Sequence, residues 1–197
     1  MTPAAIVLAA GLSRRMGRAK LLLPIGGEPA LRLAGRAAIE SGATPIVVVM
    51  GAERSALRAA LAGLPFQVAV NDNPAEGQAS SIRVGVSALP SETEAALIVL
   101  GDQPFLPREV VPALIAALAQ PGKIIAAPRY RDGRGNPVLF GRRTFPELLA
   151  ITGDQGARSV VERDPARVAL VDFDFPMPDD LDTPDDYDRL RSRSQTR

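Results

Sequence analysis

Arg15 and Lys20 follow closely on the first apolar run of the chain, Ile6-Val7-Leu8-Ala9, and its small-residue end, Ala10-Gly11. Asp102 stands in Gly101-Asp102-Gln103-Pro104, directly after a second apolar run at 95–100. Cations beside a small-residue turn suit a polyphosphate, because backbone N–H groups come close to the oxygens and the side chains neutralise their charge. A carboxylate at the carboxyl end of a strand suits a hard divalent cation, which takes oxygen ligands. An exposed turn and a helix-capping aspartate fit the same residues when each motif is taken alone. A basic cluster placed immediately after a buried first strand, with the aspartate, favours a site.

Three further clusters carry chemistry. In residues 73–83, a turn at Asn73-Pro74 leads through Gly77 into Ser80 and Ser81, which suits either a base-edge contact or a helix cap. Gly153-Asp154-Gln155-Gly156-Ala157-Arg158 is a turn into a helix; it can hold an anion, and Arg134-Gly135-Asn136-Pro137 can complete an acceptor site with it. Residues 179–186 hold five aspartates. Most of these fit the start of a helix at Pro184, with one side chain free to reach a metal.

The 197 residues contain neither histidine nor cysteine. That excludes disulfides, thiolate zinc sites, a thiol nucleophile and the commonest general base. A net charge of +1 argues against a general nucleic-acid binder. With 46% hydrophobic and 23% charged residues, the chain reads as one globular domain over 1–197. The basic residues follow the first apolar run, the wrong order for a signal peptide, and no run is long enough to span a membrane. The expected location is cytoplasmic.

Strands are predicted over 5–8, 45–50, 66–70, 95–100, 124–127, 137–140 and 168–172. Helices are predicted over 29–41, 53–62, 78–88, 107–119, 144–150, 157–162 and 183–191. Near-continuous valine at 46–49 marks a strand buried on both faces. Pro107 is placed in the first turn of its helix. Strand–helix alternation implies a three-layer α/β/α sandwich around a mostly parallel, Rossmann-like sheet, with ligands at the carboxyl ends of the strands. The hairpin-like pair around 131–136 is expected to make the sheet mixed and to carry a substrate lobe. The polar tail, 192–197, is expected to be disordered.

Taken in order, these motifs resemble those of the molybdenum-cofactor nucleotidyltransferases, and most closely the CTP:molybdopterin cytidylyltransferases. The pattern L-A-A-G-x-x-x-R-M-G-x-x-K matches residues 8–20, and G-D-Q-P matches 101–104. G-N-P-V-L-F matches 135–140, G-D-x-G-A-R matches 153–158, and D-x-D-T-P-x-D matches 180–186. The likeness spans residues 4–187 and implies the sheet of the nucleotide-diphospho-sugar transferase type. It implies transfer of CMP from CTP to the terminal phosphate of molybdopterin, with a molybdenum hydroxylase or its insertion chaperone as the recipient.

By the same resemblance, Leu8, Ala9, Ala10 and Gly11 line the nucleotide, Arg15 and Lys20 bind the triphosphate and act in catalysis, and Ser80 and Ser81 contact the base. Asp102 holds Mg2+, for which Mn2+ can substitute, with Asp182 as the second ligand. Asn136, Gly153, Asp154, Gly156 and Arg158 face the pterin. A phosphate monoester acceptor is already ionised at neutral pH, which agrees with the absence of histidine. Ala10 stands where guanylyltransferase relatives carry glycine, and so favours CTP. Use of GTP, a sugar- or polyol-phosphate acceptor, and a non-catalytic carrier are the alternatives.

Overall fold

The computed structural model of the chain describes residues 1–11, 16, 17, 19–51 and 53–194. β1 (Ala4–Ala9) leads, through a 3-10 turn at Lys20–Leu22, to a hairpin of β2 (Pro24–Ile25) and β3 (Glu28–Pro29). Then come α1 (Ala30–Glu40), β4 (Ile46–Met50), α2 (Arg54–Ala60), β5 (Gln67–Val70), α3 (Gln78–Ser87), β6 (Ala95–Leu100) and α4 (Val110–Leu118). β7 (Ile125–Tyr130), β8 (Gly133–Arg134), β9 (Val138–Gly141), α5 (Phe145–Ala150), α6 (Arg158–Glu162), β10 (Val168–Asp172) and α7 (Pro184–Ser194) complete the chain.

The main sheet runs β10-β7-β9-β6-β1-β4-β5, with β8 paired to β7. β5, β4, β1 and β6 are parallel neighbours, and β7 and β10 are parallel to each other. β9 lies antiparallel between β6 and β7. The predicted α/β class with a mostly parallel, mixed sheet is therefore the observed one. The hairpin-like pair is built into the main sheet, where it widens the sheet beyond β6.

Alternation along the strands assigns the layers. Val7, Val48 and Leu97 face the core shared with α1, α2 and α4. Ile6, Val47 and Ile98 face the core shared with α3, α5 and α6. α1 buries Leu31, Ala34, Gly35 and Ala38, a helical stripe, and the chain leaves it through Gly42 at φ +81°. α3 lies so close to β1 that a Cβ on Gly85 would sit 2.3 Å from Ile6 Cγ2 and 3.1 Å from Val49 Cγ2.

Several boundaries differ from expectation. α4 starts at Val110 rather than 107, because Pro107 only closes a preceding turn, accepting from the Val110 N–H at 3.2 Å. Pro112 is the proline inside its first turn, where no intrahelical N–H is lost. The two-residue strands β2, β3 and β8 are too short to show periodicity. α7 continues through 192–194, part of the tail expected to be disordered, because Leu190 and the hairpin hold it; residues 195–197 lie outside the described residues. No described helix is long and apolar enough to cross a membrane.

Candidate active site

β1 and β6 lie side by side, with Leu8 in register with Leu100, and the chain continues from β1 to strands on both flanks. This is the switch point of the parallel sheet, where a crevice opens beyond the strand ends. The Gly101 N–H donates to the Leu8 carbonyl at 3.0 Å, extending the ladder by one residue. A Cβ at Gly101 would lie 2.8 Å from that carbonyl oxygen, so glycine is what lets the two strand ends close here.

Lys20 and Asp102 meet at this point. Lys20 Nζ donates to Asp102 Oδ2 at 2.5 Å and to Asp182 Oδ1 at 2.7 Å. Burial disfavours the ammonium charge, but the two carboxylates outweigh it and raise the Lys20 pKa above its ordinary value. The segment carrying Asp182 is fastened to the Asp102 loop. The Leu181 N–H donates to the Asp102 carbonyl at 2.9 Å, and Gln103 Nε2 donates to Asp180 Oδ1 at 2.9 Å. Burial, helped by the like charges of Asp102 and Asp182, raises the Asp180 pKa despite the bond from Gln103.

The aspartate cluster divides its work. Asp186 accepts from the Thr183 N–H and hydroxyl, both at 2.8 Å, and its own N–H donates to Thr183 Oγ1 at 3.2 Å. This reciprocal cap opens α7. Burial would raise Asp186, but bonds from Thr183 and from the Asp182 N–H hold its pKa low. Capping thus accounts for Asp186, while Asp182 turns to Lys20.

Two cavities adjoin. The first, about 430 Å³, is lined by Leu8, Ala10, Gly11, Lys20, Ser81, Asp102, Asp154 and Asp182, among others. The second, about 490 Å³, has an apolar floor that includes Ile98, Val138 and Phe140, and a rim carrying Arg134, Asn136 and Arg158. Gln78 and Leu100 line both. Arg134 and Arg158 each donate to Glu162 Oε1 at 2.8 Å. Tyr130 donates its hydroxyl hydrogen to the Asn136 carbonyl at 2.7 Å, fixing the loop on the rim.

The other expected residues divide between the cavity walls and the structure behind them. Ala9 is buried in the core with Val48 and Met50. Ser80 accepts from Asn71 Nδ2 at 2.8 Å and donates to the Gly77 carbonyl at 2.8 Å, so its hydroxyl holds the turn together. Ser81 accepts from the same amide at 2.9 Å and borders the first cavity. Gly153 and Gly156 line neither cavity. They pack the 153–156 turn onto the start of α3, where the Ala79 N–H donates to the Gly153 carbonyl at 3.1 Å. Asp154 therefore borders the first cavity with Lys20, while Arg158 borders the second. Arg15 lies outside the described residues.

Gln78, Gln103 and Asp180 were not among the expected site residues. Gln103 lies inside the G-D-Q-P motif, but the sequence does not reveal that its amide reaches Asp180. Among the described residues no group of three or more carboxylates is arranged to hold a metal alone. Asp102 and Asp182 present oxygens to one cationic position, taken by the Lys20 ammonium, and this hard donor pair fits Mg2+ or Mn2+. Such an ion takes only one or two protein carboxylates when water and phosphate complete its shell.

Comparison with known proteins gives the family. The chain is 32% identical over 196 residues to the purine catabolism protein PucB of Bacillus subtilis, covering 94% of each. A solved homologue of Mycobacterium tuberculosis Rv0371c, from Mycobacterium sp. strain JC1, superimposes with a TM-score of 0.89 at 30% identity, over 98% of this chain and 96% of that one. Rv0371c of M. tuberculosis H37Rv, solved in complex with manganese, superimposes with a TM-score of 0.84 at 31% identity, over 98% and 99%. Residues 5–168 match the MobA-like NTP transferase domain, and the chain belongs to that family of nucleotidyltransferases.

Proposed function

We propose that this nucleotidyltransferase moves CMP from CTP to the terminal phosphate of molybdopterin, releasing pyrophosphate and forming molybdopterin cytosine dinucleotide. The observation that carries the reading is the pair of adjoining cavities. One holds the Lys20–Asp102–Asp182 cluster, and the other has an apolar floor with an Arg134–Asn136–Arg158 rim suited to a flat, anionic acceptor.

Asp102 and Asp182 are the residues that would hold Mg2+, and the manganese bound by the Rv0371c relative supports a divalent ion in this role. When bound, the ion neutralises and orients the triphosphate oxygens. Lys20 stabilises charge on the phosphoryl group in transfer, and Arg15 grips the departing pyrophosphate. The backbone around Ala10 and Gly11 approaches the nucleotide, with Ser81 and Asp154 on the same cavity wall. The acceptor monoester is ionised before it arrives, so the site needs orientation and charge neutralisation rather than a base. Ala10 lines this cavity at the position where guanylyltransferase relatives carry glycine, and so favours cytosine. The product then passes to a molybdenum hydroxylase or its insertion chaperone.

Purified molybdopterin incubated with each of the four nucleoside triphosphates and Mg2+ tests the proposal. Cytosine dinucleotide and pyrophosphate should form with CTP. Turnover confined to GTP overturns the choice of base, and turnover confined to sugar or polyol phosphates overturns the acceptor. Nucleotide binding with no pyrophosphate released for any acceptor leaves a carrier instead of an enzyme.

A further inference from the structure

We propose that Gln78 is a catalytic residue of this transfer, donating from its amide to the phosphoryl oxygens as they pass from one cavity to the other. The inference rests on the two-substrate reading above. A group moves between adjoining cavities only across their common wall, and the described residues common to both linings are Gln78 and Leu100. Leu100 is apolar, so Gln78 carries the one polar side chain of that shared wall.

Three features suit it to the task. Gln78 is the first residue of α3, directly after Gly77, which provides no capping side chain. Among the described residues, neither its side-chain amide nor its backbone N–H has a hydrogen-bond partner, so both donors are available to a ligand. Its position is set from behind: a Cβ on Gly156 would lie 2.0 Å from Gln78 Oε1, and one on Gly77 would lie 2.3 Å from Asp154 Oδ1. The 153–156 turn thus packs directly against Gln78 and limits the directions it can take.

In the step itself an oxygen of the acceptor phosphate attacks the α-phosphorus. The new P–O bond forms as the bond to the pyrophosphate oxygen breaks, and pyrophosphate leaves with that electron pair. No proton moves, and Gln78 contributes hydrogen bonds only. A donor aimed at charge developing in flight acts on turnover more than on nucleotide affinity.

Two measurements decide the matter. The Gln78 side-chain 15N amide resonance, identified by its loss in Gln78→Ala, should shift on saturation with CTP and Mg2+. A resonance that stays put overturns the assignment whether or not an acceptor is known. In turnover with molybdopterin, Gln78→Ala should lower kcat by about 10- to 100-fold, with CTP affinity and melting temperature little changed. Gln78→Glu, close in shape but anionic, should be slower still. Wild-type kcat in Gln78→Ala, or Gln78→Glu as active as wild type, overturns the role. An inactive wild type counts against molybdopterin as the acceptor, and the resonance then decides the role of Gln78 by itself.

Discussion

Lys20 is held between Asp102 and Asp182, two carboxylates that would repel each other without it. Three charges drawn from distant parts of the sequence form one unit, so replacing the central one is more than the loss of a surface cation. With Lys20→Met, kcat should fall about 100- to 1,000-fold while KM for CTP changes little, as expected for a contact that strengthens in the transition state. A rise in KM alone would reduce Lys20 to a binding group. Lys20 and Asp102 were legible in the sequence because each follows a buried strand. Asp182 was legible only as one of five similar aspartates, and the reciprocal cap between Thr183 and Asp186 separates it from its neighbours. Gln78 was not legible, since an exposed glutamine at a helix start has no distinguishing pattern. The roles of Ser80 and Ser81 depend on where the Asn71 amide points, which no spacing rule supplies.

Among the elements, α3 matters most, because it forms the wall between the cavities and rests directly on β1. Gly85 permits that approach. Gly85→Ala drives a methyl group into Ile6 and Val49 and should destabilise the fold by about 1–3 kcal/mol, read as a lower urea midpoint. An unchanged midpoint would show that α3 can retreat from the sheet at no cost. α5 is tied down differently. Glu147 accepts from Arg167 Nη1 at 2.5 Å and Nη2 at 2.7 Å, and from Arg163 Nη1 at 2.9 Å. The Arg167 bonds in particular hold its pKa below the usual carboxylate value. A depressed carboxylate stabilises fully above its unfolded pKa and loses that contribution as pH falls through the folded one. Glu147→Gln should therefore cost about 1–2 kcal/mol at pH 7, with the gap to wild type closing as pH falls below about 4. A gap independent of pH would detach the effect from ionisation. The long strands were readable, β6 and β10 to the residue, because buried apolar runs are long enough to show. β2, β3 and β8 owe their existence to partners distant in sequence or to the turns beside them. The start of α4 was misplaced because two prolines competed for one helix start.

Over the whole molecule, the site is assembled by the C-terminal segment as much as by the sheet. The match to the family ends at residue 168, yet Asp180, Asp182 and α7 lie beyond it. α7 returns to the β2–β3 hairpin, burying Leu190 with Leu23 and Ile25, and Tyr187 donates its hydroxyl hydrogen to the Pro24 carbonyl at 2.9 Å. Lys20 begins the turn that precedes this hairpin, and Leu181, the residue before Asp182, is buried in the same apolar cluster as Leu190, Leu23 and Ile25. The overall architecture followed from strand–helix alternation, but the return of α7 depends on side-chain packing that alternation does not encode. The most direct test is an electron paramagnetic resonance titration of Mn2+ in the presence of CTP, comparing the wild-type chain with Asp102→Asn. A site centred on Asp102 and Asp182 predicts that the substitution weakens Mn2+ binding by at least about tenfold with the fold intact. Equal Mn2+ affinity in the two proteins would contradict it.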